Sequence, residues 1–389
     1  MKNGLILLLF IFCLVSNDTY SAGNENDSTH LSLIQRWQAN TKKKEQEGKF
    51  LITPFVGPGY TPELGFSIAG GALLSFKTNH SDMVSPRSSI PINFGWSTKG
   101  AIFGSAIIST YWMEDKLRIN TNIWFKNMPD NYFGIGYDNG KNIPKSDTTT
   151  YYKRLWIQFN PQAFWQFRKG YFVGGALDFN YTKGRNASEI VMEDPNYSKY
   201  NNKPFNAGIG LHAMIDTRDI PVNAWKGWYV LGQAMFYGSF LGGQNEYQVY
   251  TVDARHYMQV HKPGQTLALQ IKGRFAENNV PYGEMSQLGT PFDLRGYLWG
   301  QYRDKSMLFG IAEYRHSFYK KDGSRSIHGL VGWIAGGSVA PKISGMKDWL
   351  PNGGIGYRLE VQPRMTLRLD FGLGLDGSKG FYFNFNEAF

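Results

Sequence analysis

The chain has 389 residues, a net charge of +10 from 41 Lys and Arg against 31 Asp and Glu, and 16% aromatic residues. Beyond the N-terminus no apolar run reaches the ~18–20 residues of a membrane-crossing helix, which excludes a helical membrane protein. The basic residues are dispersed rather than ranked on one face, so no nucleic-acid partner is indicated. A mean hydropathy of −0.37 still admits a membrane barrel, whose lipid-facing and lumen-facing residues alternate and cancel.

In chain order, Lys2 precedes an apolar stretch from Leu5 to Val15, and Ser21 and Ala22 supply small residues for cleavage. This pattern predicts a signal peptide over 1–22. The only cysteine, Cys13, lies inside it, so the mature chain holds no disulfide or thiolate metal site. Residues 23–63 read as a short periplasmic N-terminal segment and lead-in. Leu31 to Ala39 suits a short amphipathic helix, and the segment is too small for a core of its own. PFVGPGYTPE, with three prolines, reads as irregular chain.

From residue 64 to residue 389 the pattern is period-2 alternation. Leu367, Leu369, Phe371 and Leu373 alternate with Arg368 and Asp370; Phe381, Phe383 and Phe385 alternate with Tyr382 and Asn384. A charged or amide residue at every second position is too polar for a sandwich core and fits a wall between lipid and a wet lumen. Strands are predicted at 65–77, 87–97, 100–112, 116–126, 131–138, 151–167, 170–183, 204–216, 226–240, 246–260 and 264–276. After a long loop they resume at 306–318, 326–338, 352–362, 365–373 and 380–388. The fold class is therefore all-β: an antiparallel transmembrane barrel of about sixteen strands, an even number as single-chain bacterial barrels have. Short turns such as Thr98–Gly100, Arg168–Gly170, Lys262–Gly264 and Pro363–Arg364 alternate with longer loops at 139–150, 184–203, 278–305 and 339–351. The short connection near Glu114 falls on the long-loop side and is an exception. Trp96, Trp112, Trp228 and Trp349 lie near strand ends, where aromatic girdles sit.

Four segments carry a family resemblance. Leu294-Arg295-Gly296-Tyr297 resembles the R-G-F/Y motif of the BamA-type bacterial surface antigens, the outer-membrane-protein-85 superfamily. Asp216-Thr217-Arg218-Asp219 with Gly227-Trp228 resembles that family's turn motif. Glu313-Tyr314-Arg315 resembles the strand that follows the inward loop, and the ending from Gly354 to Phe389 resembles the last three strands. The resemblance implies that the loop carrying Arg295 folds into the barrel. Residues 23–48 are too few for a periplasmic POTRA domain, so the chain is similar to a reduced branch of the family. Where the family often carries an Asp on the strand after Glu313, this chain has Ala335.

An arginine in a narrow lumen needs a carboxylate, because an unpaired guanidinium away from bulk water is costly. Glu313 is the partner that the resemblance implies; Asp370 and Glu360, lumen-facing by parity, are alternatives. Gly70 and Gly71 on the first predicted strand, and Phe385 on the last, would form a weak seam. The run Phe381, Phe383 to a terminal Phe389 resembles the C-terminal assembly signal of outer-membrane barrels. The seven histidines, of which His212 faces the lumen while His256 and His316 point outward, form no Ser-His-Asp array. No catalytic residue, cofactor or metal site is indicated. Three readings follow: protein or lipid insertion or translocation at the outer membrane, a passive or structural barrel plugged by its loop, and a lipid hydrolase, the weakest. The implied partners are outer-membrane lipids and lipopolysaccharide, the barrel assembly machinery during biogenesis, and a periplasmic protein; both termini are expected on the periplasmic side.

Overall fold

The structure, a computed structural model, describes residues 49–61 and 64–389. The expected signal peptide, with Cys13, and the amphipathic helix at 31–39 lie outside the described residues. Sixteen strands form one antiparallel sheet. They are β1 (Leu51–Thr61), β2 (Gly65–Phe76), β3 (Ser88–Ser97), β4 (Ile102–Trp112), β5 (Leu117–Asn131), β6 (Tyr151–Arg168), β7 (Tyr171–Arg185) and β8 (Phe205–Asp216). The series continues with β9 (Gly227–Tyr237), β10 (Tyr247–Gln259) and β11 (Gln265–Asn278). A separate ladder of β12 (Ser286–Gln287) and β13 (Arg303–Asp304) sits within the following loop. The wall resumes with β14 (Ser306–Tyr319), β15 (Arg325–Ala340), β16 (Leu350–Gln362), β17 (Met365–Gly374) and β18 (Lys379–Phe385). Each wall strand pairs with the next one in sequence, and β11 pairs directly with β14.

The distribution of side chains is inverted relative to a protein in water. Arg118, Arg315, Arg358, Arg368, Asp253, Glu313 and Asp370 are buried, whereas Ile68, Phe94, Ile157, Phe159, Leu211, Ile271, Ile334 and Ile355 are exposed. A soluble β-protein would leave neither so many charges inside nor so continuous an apolar outer face; a lipid-embedded barrel requires both. Trp96 and Trp349 lie at one end of the wall and Trp112 and Trp228 at the other, all exposed. They occupy the levels of two interfacial girdles.

One strand is gained and one is lost relative to the sequence reading. Leu51–Thr61, read as irregular lead-in, is the first strand and pairs with β2 along its whole length. Its prolines are tolerable because a strand at a sheet edge need not donate on its outer side. Conversely, 131–138 is not a strand. β5 runs on to Asn131, then Gly134 and Gly136 take positive φ and lead into the short helix Tyr137–Asn142. The predicted and observed totals agree because one strand is gained and one lost. The exchange moves the early connections to the opposite end of the wall. The turn at 113–116 joins the short-turn end, where Glu114 N donates to Asp82, and Thr98–Gly100 joins the long-loop end beside Gly65. The Glu114 turn is thus no exception.

β1 and β18 come together at the seam. A Cβ on Gly57 would meet the Phe383 ring at 3.1 Å, and Gln362 on β16 donates to Thr53 on β1. Among the described residues no backbone ladder joins the two strands. Gly70 and Gly71 lie on β2, between β1 and β3, so they are not at the seam as expected from sequence. A Cβ on Gly71 would fall within 1.9 Å of the Ile92 carbonyl oxygen and 2.7 Å of the Phe55 ring, so this glycine serves packing inside the wall.

Candidate functional site

The connection from β11 to β14 turns into the lumen. At its base, Arg274 donates to the Glu284 carbonyl and to Ser286, and Arg303 donates to the carbonyls of Gly300 and Asn131. Near the tip, Asp293 accepts from Gly289 N, Thr290 N and Thr290 Oγ1, an Asx-type closure that shapes the bend. Gly296 has φ of 128°, a conformation that favours glycine, and its N–H donates to the Tyr382 hydroxyl at 2.9 Å. The approach to the wall is backbone against backbone: a Cβ on Gly372 would lie 2.0 Å from the Arg295 carbonyl oxygen.

Arg295 itself is fully buried. Its Nη1 donates to Asp370 at 2.7 Å, its Nη2 to Glu313 at 2.6 Å, and its plane lies 3.6 Å from the centroid of the Trp333 ring. Trp333 is fixed in turn through Nε1 to Asn352, whose amide donates to the carbonyls of Arg295 and Leu373. The two carboxylates are shared: Arg315 donates to Glu313 at 2.9 Å and Arg358 to Asp370 at 2.6 Å. Arg368 Nε lies 3.5 Å from Asp370, and its Nη2 donates to the Pro291 carbonyl. With no Asp at Ala335, the guanidinium is held by β14 and β17 through charge and by β15 through the indole face. Leu294 is buried against Gly337, and the Tyr297 hydroxyl donates to the Pro351 carbonyl at 2.8 Å.

Glu360 does not join this cluster. The ladder pairs Asp370 with Gly356 and Thr366 with Glu360, four residues or about 13 Å further along the strand. There Glu360 accepts from Arg325 at 2.6 Å.

The turn motif closes the short-turn end. Asp216 accepts from Arg118 and Arg218, and Asp219 accepts from Arg364 at 2.7 Å. Burial opposes ionisation of Asp219, but hydrogen bonds from Arg364 and Trp225 N outweigh it and hold its carboxyl below the usual range. Arg364 also lies 3.4 Å over the Trp225 ring and donates to the Asn223 carbonyl, so the connection from β8 to β9 reaches the one between β16 and β17. Gly227, with φ of 109°, lies against the Thr217 carbonyl, where a Cβ would come within 2.3 Å.

The chain's ending departs from a lipid-facing strand. β18 stops at Phe385, opposite Leu367. Asn386 takes φ of 60°, and Glu387, Ala388 and Phe389 are buried. Glu387 accepts from Arg358 at 2.8 Å, the Phe389 carbonyl accepts from Arg315, and its ring lies near Tyr257. Phe381 and Phe383 remain on β18, so Phe389 is not the last member of their outer row. The role of Glu387 in the lumen was not foreseen. His212 faces the lumen and meets Gln233; His256 stacks on Trp228, and His316 lies among Tyr314 and Phe318.

The sequence model of the Omp85 superfamily domain matches residues 88–389. The chain belongs to the Omp85 superfamily. Barrels of this superfamily sit in the bacterial outer membrane and are non-enzymatic transport and assembly proteins. Among solved structures, the Omp85 chain is similar to BamA from Haemophilus ducreyi lacking POTRA domains 1–3, with a TM-score of 0.54 and 13% identity over 86% of this chain and 69% of that one. It is similar to CdiB from Acinetobacter baumannii (TM-score 0.55, 13% identity, 87% of this chain and 59% of that one). CdiB from Escherichia coli gives 0.53 and 11%, over 86% and 61%. The chain thus spans about three fifths of either CdiB. At these identities the likeness is one of fold. No curated protein matches in sequence.

Proposed function

We propose that this Omp85 barrel assists the insertion or translocation of protein or lipid at the outer membrane, using the seam between β1 and β18. The observation that carries the reading is the state of that seam. β1 contains Pro54 and Pro58, which have no N–H to donate, and no ladder links β1 to β18 among the described residues. The anchors of the Arg295 tip, Glu313, Trp333, Asn352, Asp370 and Tyr382, all lie on β14 to β18. The loop therefore stiffens one lip of the seam and leaves the β1 lip to move. In this reading the segment 1–22 exports the chain, both termini face the periplasm and the long loops face outward. Outer-membrane lipids and lipopolysaccharide surround the wall, the assembly machinery inserts it, and a periplasmic protein delivers clients.

The test joins the lips. In a variant carrying Gly57→Cys and Phe383→Cys, a short thiol cross-linker should stop insertion of an unfolded outer-membrane barrel into proteoliposomes, and reductive release of the linker should restore it. An unchanged insertion rate with the lips joined would overturn the proposal. A passive or structural barrel is the second reading, favoured by Tyr132, Tyr152, Tyr197, Tyr200 and Tyr282, which pack together over the lumen at the long-loop end. It requires that single-channel conductance rise when residues 282–300 are removed while the joined lips change nothing.

A further inference from the structure

The arginines of the Arg295 cluster are matched by carboxylates, but among the described residues a group of cations on the outer surface is not. On β6 and β7 the odd-numbered residues face outward. At the long-loop ends of these strands three of them are basic: Lys153, Lys183 and Arg185. The register places Lys153 directly opposite Arg185 and Lys183 opposite Leu155, so the three charges form one triangle on the outer face. What they touch are neutral oxygens: Lys183 Nζ donates to the Asn201 carbonyl at 2.9 Å, and Arg185 Nη2 to the Asn127 amide oxygen at 3.0 Å. Like charges directly opposite each other on one face of a sheet are destabilising, and a poorly hydrated surface makes the repulsion stronger. An anion between them would turn that cost into attraction.

The height of the triangle says which anion. Below Lys153 the outward residues of β6 are Leu155, Ile157, Phe159, Pro161, Ala163, Trp165 and Phe167. Ile157, Phe159, Trp165 and Phe167 are exposed. From Leu155 to Phe167, at ~3.3 Å per residue and a tilt of ~40°, this band is about 30 Å tall, the thickness of a bilayer's hydrocarbon core. On β7 the outward residues Tyr171, Val173, Leu177, Phe179 and Tyr181 span a similar band before Lys183. The cations therefore stand at the level where lipid headgroups begin, with an apolar wall beneath them.

We propose that Lys153, Lys183 and Arg185 dock a membrane glycolipid bearing more than one phosphate, its acyl chains lying along the outer face of β6 and β7. A planar guanidinium grips a phosphate with two parallel hydrogen bonds, and the two ammonium groups add point charge on either side. A lipid with one phosphate leaves part of the triangle unmatched. The assignment to the outward leaflet rests on the reading that the long loops face outward; binding itself does not.

The test uses the full chain folded in detergent and read by native mass spectrometry. The probes are a bisphosphorylated glucosamine-disaccharide lipid, the same lipid after phosphatase treatment, and phosphatidylglycerol. The wild-type chain should retain the bisphosphorylated lipid and release the dephosphorylated one. A variant with Lys153→Gln, Lys183→Gln and Arg185→Gln should bind the first about a hundredfold more weakly, from roughly a fivefold loss per cation. Equal retention of all three lipids by the wild type, or equal affinity in the variant, would overturn the proposal. The phosphatase arm needs no variant, so it decides even where the variant fails to fold. A positive result here together with a failed seam cross-linking experiment would separate lipid docking from insertion.

Discussion

Removing the Arg295 side chain should release the loop tip without unfolding the wall. Arg295→Ala deletes two buried charge-assisted hydrogen bonds, at 2.6 and 2.7 Å, and the stacking on Trp333. Breaking a buried ion pair costs about 3–5 kcal/mol when it strands an uncompensated charge. Here Arg315 still holds Glu313 and Arg358 still holds Asp370, so the lower end, ~3 kcal/mol, applies. That is roughly a hundredfold loss in the docking equilibrium. Amide hydrogen exchange across residues 289–298, measured on the folded chain, should accelerate by that factor, while amides of β6 and β7 keep their protection. Arg295→Lys keeps the charge but cannot fork to two carboxylates, and should fall in between. Exchange of the tip within about threefold of wild type in the alanine variant would show that the ion pairs do not hold the loop.

Two further perturbations probe the same packing and the loop chemistry. Gly372→Ala places a Cβ 2.0 Å from the Arg295 carbonyl oxygen and should expose the tip as strongly as Arg295→Ala; Gly332→Ala, whose Cβ has 4.0 Å to its nearest neighbour, should be silent by the same exchange measurement. Acid should loosen the connection from β2 to β3. Burial opposes ionisation of Asp82, yet hydrogen bonds from Ser85, Val84 and Glu114 lower its pKa from 3.8 to about 2. A depressed carboxyl stabilises the folded loop fully above the unfolded value and loses that contribution as pH falls from about 4 through about 2. Exchange or proteolysis at residues 79–86 should rise in that window in the wild type, and Asp82→Asn should remove the pH dependence.

The wall was legible where each strand separates its two faces in sequence. β17 alternates leucines and phenylalanine with Thr366, Arg368 and Asp370 without a break, and which residues face the lumen follows from that pattern alone. β1 was hidden because its prolines carry the signature of irregular chain, and only the position at a sheet edge, which a single strand's composition does not encode, makes them acceptable. The segment 131–138 misled in the opposite sense: Tyr132, Phe133 and Ile135 look like strand residues, but the chain turns at Gly134 and Gly136, Phe133 is buried, and Tyr132 and Ile135 pack with loop residues. Parity could propose Glu313, Asp370 and Glu360 as partners for Arg295, yet parity carries no information about height. Only the ladder offset between β16 and β17 separates Glu360 from the other two.

The chain's ending held a signal that alternation itself could have delivered. If β18 continued past Phe385, its next outward position would be residue 387, a glutamate. A carboxylate on the lipid face is unfavourable, whereas the lumen already holds Arg315 and Arg358 with capacity for another acid. The chain therefore leaves the wall at Asn386, a residue type that tolerates positive φ, and carries Glu387 and Phe389 inside. The consequence reaches the seam: β18 spends its last residues on the lumen and is left with seven in the wall facing eleven in β1. A charge misplaced by one step of the alternation thus shortens β18.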